Sequence, residues 1–360
     1  MEHSTMTFVR VSREKRYQID FLLILPALLI AIAIFIFPTR ISANDSTAAL
    51  GAGGIELQKS DDIRILEEVL EISPYNIRVK YRFLNESEQD IHTKVAFPLP
   101  LYNGVAHSNV SIADPGGIFS SFKVSVDGNP VVLKRERKAL LKNRDITRKL
   151  RKLGLSDKEI FFDVADREKG ELWSKLKELL PEIGQWWDIS YTVYWDMKFP
   201  TGKEIIVEHE YAPAVGGGYN VVTVGTIEGK FNEFPKSQEE KMDELWRFTG
   251  TENIKKEACI DAITKRAIEK KADRALAVLP QEKSGMLASY DRVEYILGTG
   301  RNWKGPIGEF TLRLVKQKPE DFVSLCFPGK PEKISSTVYE FKQKDFVPQD
   351  KLTVYFFKFN

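Results

Sequence analysis

The chain has 360 residues, 42% of them apolar and 29% charged, with a formal net charge of +2. That composition excludes disordered and collagen-like chains and allows about two domain-sized units. Five of the 53 Lys/Arg and three of the 51 Asp/Glu fall in the first 43 residues, so the remainder carries 48 of each. With no global field and no zinc-finger or base-stacking motif, nothing points to nucleic acid as a partner.

In chain order, Arg10, Arg13, Lys15 and Arg16 precede FLLILPALLIAIAIFIF, an uncharged run from Phe21 to Phe37. The run is longer than the 7–15-residue core of a signal peptide and slightly short of the ~20 residues of a membrane span. Residues 1–43 are therefore read as a signal peptide cut after ISA or as an uncleaved anchor in the inner membrane, and both stay open. In either case the upstream basic flank puts the rest of the chain outside the cytoplasm, periplasmic or secreted. Cys259 and Cys326 both lie in that exported part, where an oxidising compartment allows one disulfide.

Past Asn44 a glycine-rich turn, GAGG, leads to strands. Ile77, Val79, Tyr81 and Phe83 alternate with Arg78, Lys80 and Arg82, the period-2 pattern of a half-buried strand. NESEQD turns the chain, IHTKVAF returns it, and PLP ends it because proline cannot donate to a ladder. FKVSVDGNPVVL reads as a second hairpin about Asp127-Gly128. From Lys134 to Leu180 the spacing turns helical, with Ala139, Ile146 and Leu153 seven apart, which predicts a basic helical insertion at about 134–180. Strands resume at WDISYTVYWDMKFP and EIIVEHEYAP, and a boundary is placed at Gly216–Gly218, read as a flexible turn. The first unit is thus a β-sandwich-like domain over 44–218. The second, 219–360, is mainly β with a helix at about 257–278. The fold class expected is mainly β, in sandwich-like units with helical insertions.

The strings NDSTAALGAGGIEL, ISPYNIRVKYRFLN, VAFPLP, DITRKLRKLGL, YWDMKFPTGKEIIVEHEYAPAVGG and EYILGTGRNWKGPIGEFTLRL together resemble the bacterial exported family called domain of unknown function 4424, from about Asn44 to the C-terminus. The resemblance implies a bacterial envelope protein and transfers no reaction, cofactor or catalytic residue. A fainter likeness in layout joins the first half to sandwich domains of the vault and inter-alpha-trypsin type, through the FPLP hairpin, the VDG turn and a later strand pair. It implies a fold only.

Candidate chemistry is sparse. In KEIIVEHEYAP the strand period sends Ile205, Val207, His209 and Tyr211 to one face and Glu204, Glu208 and Glu210 to the other, so the imidazole and its neighbouring carboxylates diverge. His92, His107 and His209 sit in separate segments without HExxH or paired CxxC spacing, so neither metal nor cofactor is expected. There is no GxSxG elbow. In TGRNWKGPIGEF, Trp303 between Arg301 and Lys304 is either a ring that stacks on a glycan or peptide or a plug at the end of a sandwich. Trp186, Trp187 and Trp195 read as core. Residues 134–152 carry ten Lys/Arg against Glu136 and Asp145, so Lys142, Arg148, Lys149 and Lys152 could meet an anionic membrane surface, the alternative being a solvated helix packed through Ile146, Leu150 and Leu153. The reading is an exported envelope protein, a non-catalytic binding or structural module whose partner is an envelope protein or glycan. The alternative is a hydrolase of an envelope polymer that uses paired carboxylates.

Overall fold

The computed structural model describes residues 45–51, 54–101, 110–112, 121–161, 187–223, 256–278 and 284–359. The apolar run, His107, Trp186 and residues 162–180 of the expected insertion lie outside these. Strands β1 (Ser46–Gly51) and β2 (Gly54–Gln58) form a hairpin closed where Gly51 faces Gly54. They are followed by β3 (Ile63–Ile72), β4 (Ile77–Asn85), β5 (Ile91–Pro98), β6 (Val110–Ile112), β7 (Lys123–Val126) and β8 (Asn129–Pro130). Next come β9 (Lys134–Leu141), β10 (Arg144–Asp145) and two short helices, α1 (Thr147–Lys152) and α2 (Asp157–Phe161), then β11 (Asp188–Phe199), β12 (Glu204–Tyr211) and β13 (Ala214–Thr223). The rest comprises α3 (Ala262–Val278), β14 (Ser284–Ile296), a 3-10 turn at Gly298–Asn302, β15 (Ile307–Val315), β16 (Phe322–Leu325), β17 (Glu332–Lys333), β18 (Val338–Phe346) and β19 (Lys351–Phe359).

The fold is mainly β, as the alternating patterns predict. The described residues form three sheets, in the orders β10-β9-β11-β5-β1-β2, β17-β18-β15-β3-β4-β12-β7-β8 and β16-β19-β14-β13-β6. Apart from the parallel contact of β15 with β3, neighbouring strands are antiparallel. The expected half-buried strand is β4, whose Ile77, Val79, Tyr81 and Phe83 point inward. The eight-stranded sheet lays this face, with Ile205, Val207 and Tyr211, against side chains from both other sheets in one apolar core. The Asp127-Gly128 turn has positive φ at both residues (49° and 77°), the twist a tight hairpin prefers.

The reading differs from the structure in two places. Residues 134–141, read as helical, are strand β9, paired with β11 from Lys134 to Leu140. Strand pairing overrides the local spacing there. Ala139, Ile146 and Leu153 do meet, in a small second core around Leu141, Leu150, Ile160 and Trp187, but from a strand and the two ends of α1. The triplet Gly216–Gly218, read as a turn, lies inside β13, where it pairs with β14. Strand β15, from the C-terminal part of the chain, joins the same sheet as β3 and β4.

Candidate functional site

His209 is carried by β12, which pairs with β4 so that His209 faces Val79. The imidazole points into the core, ringed by Tyr81, Phe97, Phe122 and Trp195 at centroid distances of 5.3–5.6 Å. Glu208 and Glu210 face outward, as the strand period requires. The carboxylate that meets His209 comes instead from Asp45, just before β1: its Oδ2 lies 3.2 Å from Nε2, and both side chains are 0% exposed. Trp303 Nε1 donates to the Asp45 carbonyl (2.6 Å), and Asn302 Nδ2 donates to Ser46 Oγ (3.0 Å), so the chain entering β1 is fastened to the 3-10 turn. Burial raises the Asp45 carboxyl above its ordinary value, and His209 only partly offsets this.

A second carboxyl, Glu68, is also fully buried. Its inward direction comes from a β-bulge: Ile65 pairs with Phe83 but Glu67 with Arg82, leaving Leu66 as the extra residue. The buried set therefore passes from Ile63 and Ile65 to Glu68, Leu70 and Ile72. Glu68 lies opposite Tyr81, whose hydroxyl is 3.2 Å from that of Tyr295. Burial, followed by the charge of Glu68, pushes both phenols well above their usual range. Gly308 of β15 makes room for the bulge, since a Cβ there would sit 2.7 Å from the Leu66 carbonyl oxygen.

The Asp45–His209 contact ties the start of β1 to the eight-stranded sheet. It cannot reach a substrate from solution, because no atom of either side chain is exposed.

Among the described residues, an open groove of about 790 Å³ lies on the opposite face of that sheet, between the outer sides of β3, β4, β7 and β12 and the segment Pro130–Arg135. His209 borders it only from beneath. Its carboxylates are matched to cations: Arg78 lies 3.4 Å from both Glu71 and Glu210, and Lys80 lies 3.6 Å from Glu208. Lys123 and Arg135 line the groove without an ion pair among the described residues, above apolar Val131 and Leu133.

Trp303, considered above as a stacking ring, is 1% exposed and packs on Phe83 and Phe199 at 4.8 and 5.9 Å. Its face is used by the core, which corrects the stacking expectation. Arg301 pairs with Asp350, and Lys304 with Glu86 at 2.8 Å. Trp187 and Trp195 are core residues. Cys259 and Cys326 are joined in a disulfide, with Cα atoms 5.0 Å apart. Lys142, Arg148, Lys149 and Lys152 are all exposed, on the β9–β10 turn and on α1. Among the described residues, no three His, Cys, Asp or Glu side chains converge as metal ligands, and no helix is long and apolar enough to cross a membrane.

A family model described as "Domain of unknown function (DUF4424)" matches residues 43–355. No curated protein matches the chain. Among solved structures it is similar to a Legionella pneumophila protein provisionally named as nutrient binding, at 15% identity and a TM-score of 0.39, covering 87% of this chain and 72% of that one. It is also similar to an M1 zinc metallopeptidase from Deinococcus radiodurans, at 8% identity and a TM-score of 0.27. That match covers 83% of this chain and 43% of the enzyme, so the chain spans under half of the enzyme's length. At these TM-scores neither likeness bears on function.

Proposed function

The chain belongs to the family of domain of unknown function 4424, and from that premise we propose that it works outside the cytoplasm as a non-catalytic binding or structural module of the bacterial cell envelope. The observation that carries the reading is the sealing of the one imidazole–carboxylate pair described, Asp45 with His209, inside the sandwich. A side chain that never meets solvent serves packing and register. The open groove, by contrast, offers apolar surface, carboxylates engaged by Arg78 and Lys80, and the cations Lys123 and Arg135 that hold no ion pair among the described residues, which suits recognition better than turnover. The Cys259–Cys326 disulfide supports an oxidising, extracytoplasmic compartment, in keeping with the apolar run at Phe21–Phe37 and its basic flank.

A photo-cross-linking residue at Val132, 85% exposed on the groove segment, tests this in intact cells. A discrete adduct with an envelope component, absent when the probe replaces exposed Ile263 on α3, supports the proposal. Adducts with cytoplasmic proteins alone would overturn it.

A further inference from the structure

We propose that the tip formed by the β9–β10 turn and α1 is a docking surface for the anionic phosphate headgroups of a lipid bilayer. The inference rests on the extracytoplasmic envelope reading above and gives that module a partner.

The sequence of α1 and its approach divides by direction. Ile146, Thr147, Leu150 and Leu153 turn toward the small core of Ala139, Leu141, Ile160 and Trp187. Every remaining position from Arg144 to Lys152 faces solvent, and all but Asp145 are cationic: Arg144, Arg148, Lys149, Arg151 and Lys152. Arg151 is held by Asp157 at 2.8 Å, and Asp145 accepts the Thr147 N–H. Arg144, Arg148, Lys149 and Lys152 hold no ion pair among the described residues.

The sheets are different. Arg78, Lys80 and Arg82 on β4 are each matched to glutamates on the flanking strands, and Lys94 and Lys134 share Asp196. Many cations of the sheets are neutralised by a neighbour in this way, Lys123 and Arg135 at the groove being exceptions. The tip leaves four cations uncompensated within nine residues, among the described residues. A short helix with its apolar side buried has no greasy face to insert, so the attraction is electrostatic and belongs to the headgroup layer. An anionic bilayer complements such a cluster in sign and in extent, and the apolar run at Phe21–Phe37 already directs this chain to a membrane.

Close to an anionic leaflet each such cation changes partitioning about fivefold, falling off within a Debye length of about 10 Å at 0.1 M salt. The test uses the protein purified from envelopes with whatever N-terminus it carries there. Association is measured with vesicles of phosphatidylcholine alone and of phosphatidylcholine with phosphatidylglycerol, at low and at 0.5 M salt. The expected result is a salt-sensitive excess on the anionic vesicles that falls at least tenfold in R144Q/R148Q/K149Q/K152Q. The excess should persist in K330Q/K333Q/K342Q/K344Q, which removes the same charge elsewhere. An unchanged melting temperature certifies the fold of each variant. Equal association with both vesicles, or equal loss in the two variants, overturns the proposal. Cell fractionation is scored separately: a cytoplasmic location with vesicle binding intact would overturn the envelope reading and leave the surface standing.

Discussion

Replacing His209 with Gln removes the imidazole whose Nε2 lies 3.2 Å from Asp45 Oδ2, a carboxyl that is 0% exposed. Breaking a buried pair by deleting one member costs about 3–5 kcal/mol. At about 2 °C per kcal/mol for a domain of this size, the melting temperature should fall by about 6–10 °C. The loss has a pH signature. Burial raises the Asp45 carboxyl in the folded state, and deleting His209 removes the influences that lower it. A carboxyl whose folded value lies above its unfolded value, here 3.8, contributes its full stability below the unfolded value and loses it as pH rises toward the folded one. H209Q should therefore weaken relative to D45N/H209Q, which cannot ionise at position 45. The gap should widen by about 1.4 kcal/mol per pH unit above pH 4 until the folded value is passed. Urea unfolding of both variants from pH 4 to 7 reads this directly. A gap that stays constant over that range, or an H209Q penalty under 1 kcal/mol, would refute the assignment of Asp45 and His209 as a sealed, energetically coupled pair.

Gly308→Ala should destabilise by about 1–3 kcal/mol in urea unfolding, since the new methyl meets the backbone of the Leu66 bulge and cannot be accommodated by a rotamer change; an unchanged midpoint would mean that β15 does not press on the bulge. Reducing Cys259–Cys326, 67 residues apart, should lower stability by about 4 kcal/mol on the chain-entropy estimate, and unfolding midpoints that coincide with and without reductant would contradict it. Asp196, bonded first by Lys134 and then by Lys94, should titrate at about 2 by carboxyl NMR and move back toward 3.8 in K94Q/K134Q. The stability it lends is present at neutral pH and lost as pH falls through that value, and it is small because the side chain is 58% exposed.

Much of the fold was legible because strand alternation is local: β4 and β12 could be read residue by residue, including the inward face of His209. The disulfide was legible from two cysteines in the part of the chain read as exported. What could not be read depended on partners distant in sequence. Asp45 meets His209 across 164 positions, and nothing near either residue announces the other. Strand β9 looked helical because Ala139, Ile146 and Leu153 share a core, and their spacing is silent on whether a strand or a helix carries them there. Glu68 did leave a trace: in IRILEEVLEI the apolar positions shift from odd to even numbers between Ile65 and Leu70, the mark of a bulge. Trp303, flanked by Arg301 and Lys304, gave an outward impression that only the packing of Phe83 and Phe199 could reverse.

The protein is proposed to bind an envelope partner and not to turn it over. The most direct measurement incubates the purified protein with isolated envelope fractions and follows the supernatant by mass spectrometry. The expected result is protein retained on the envelope and no fragments above the buffer control, with the same outcome for Glu208→Gln and Glu210→Gln at the groove. Steady release of polymer fragments, lost in either Gln variant, would contradict it.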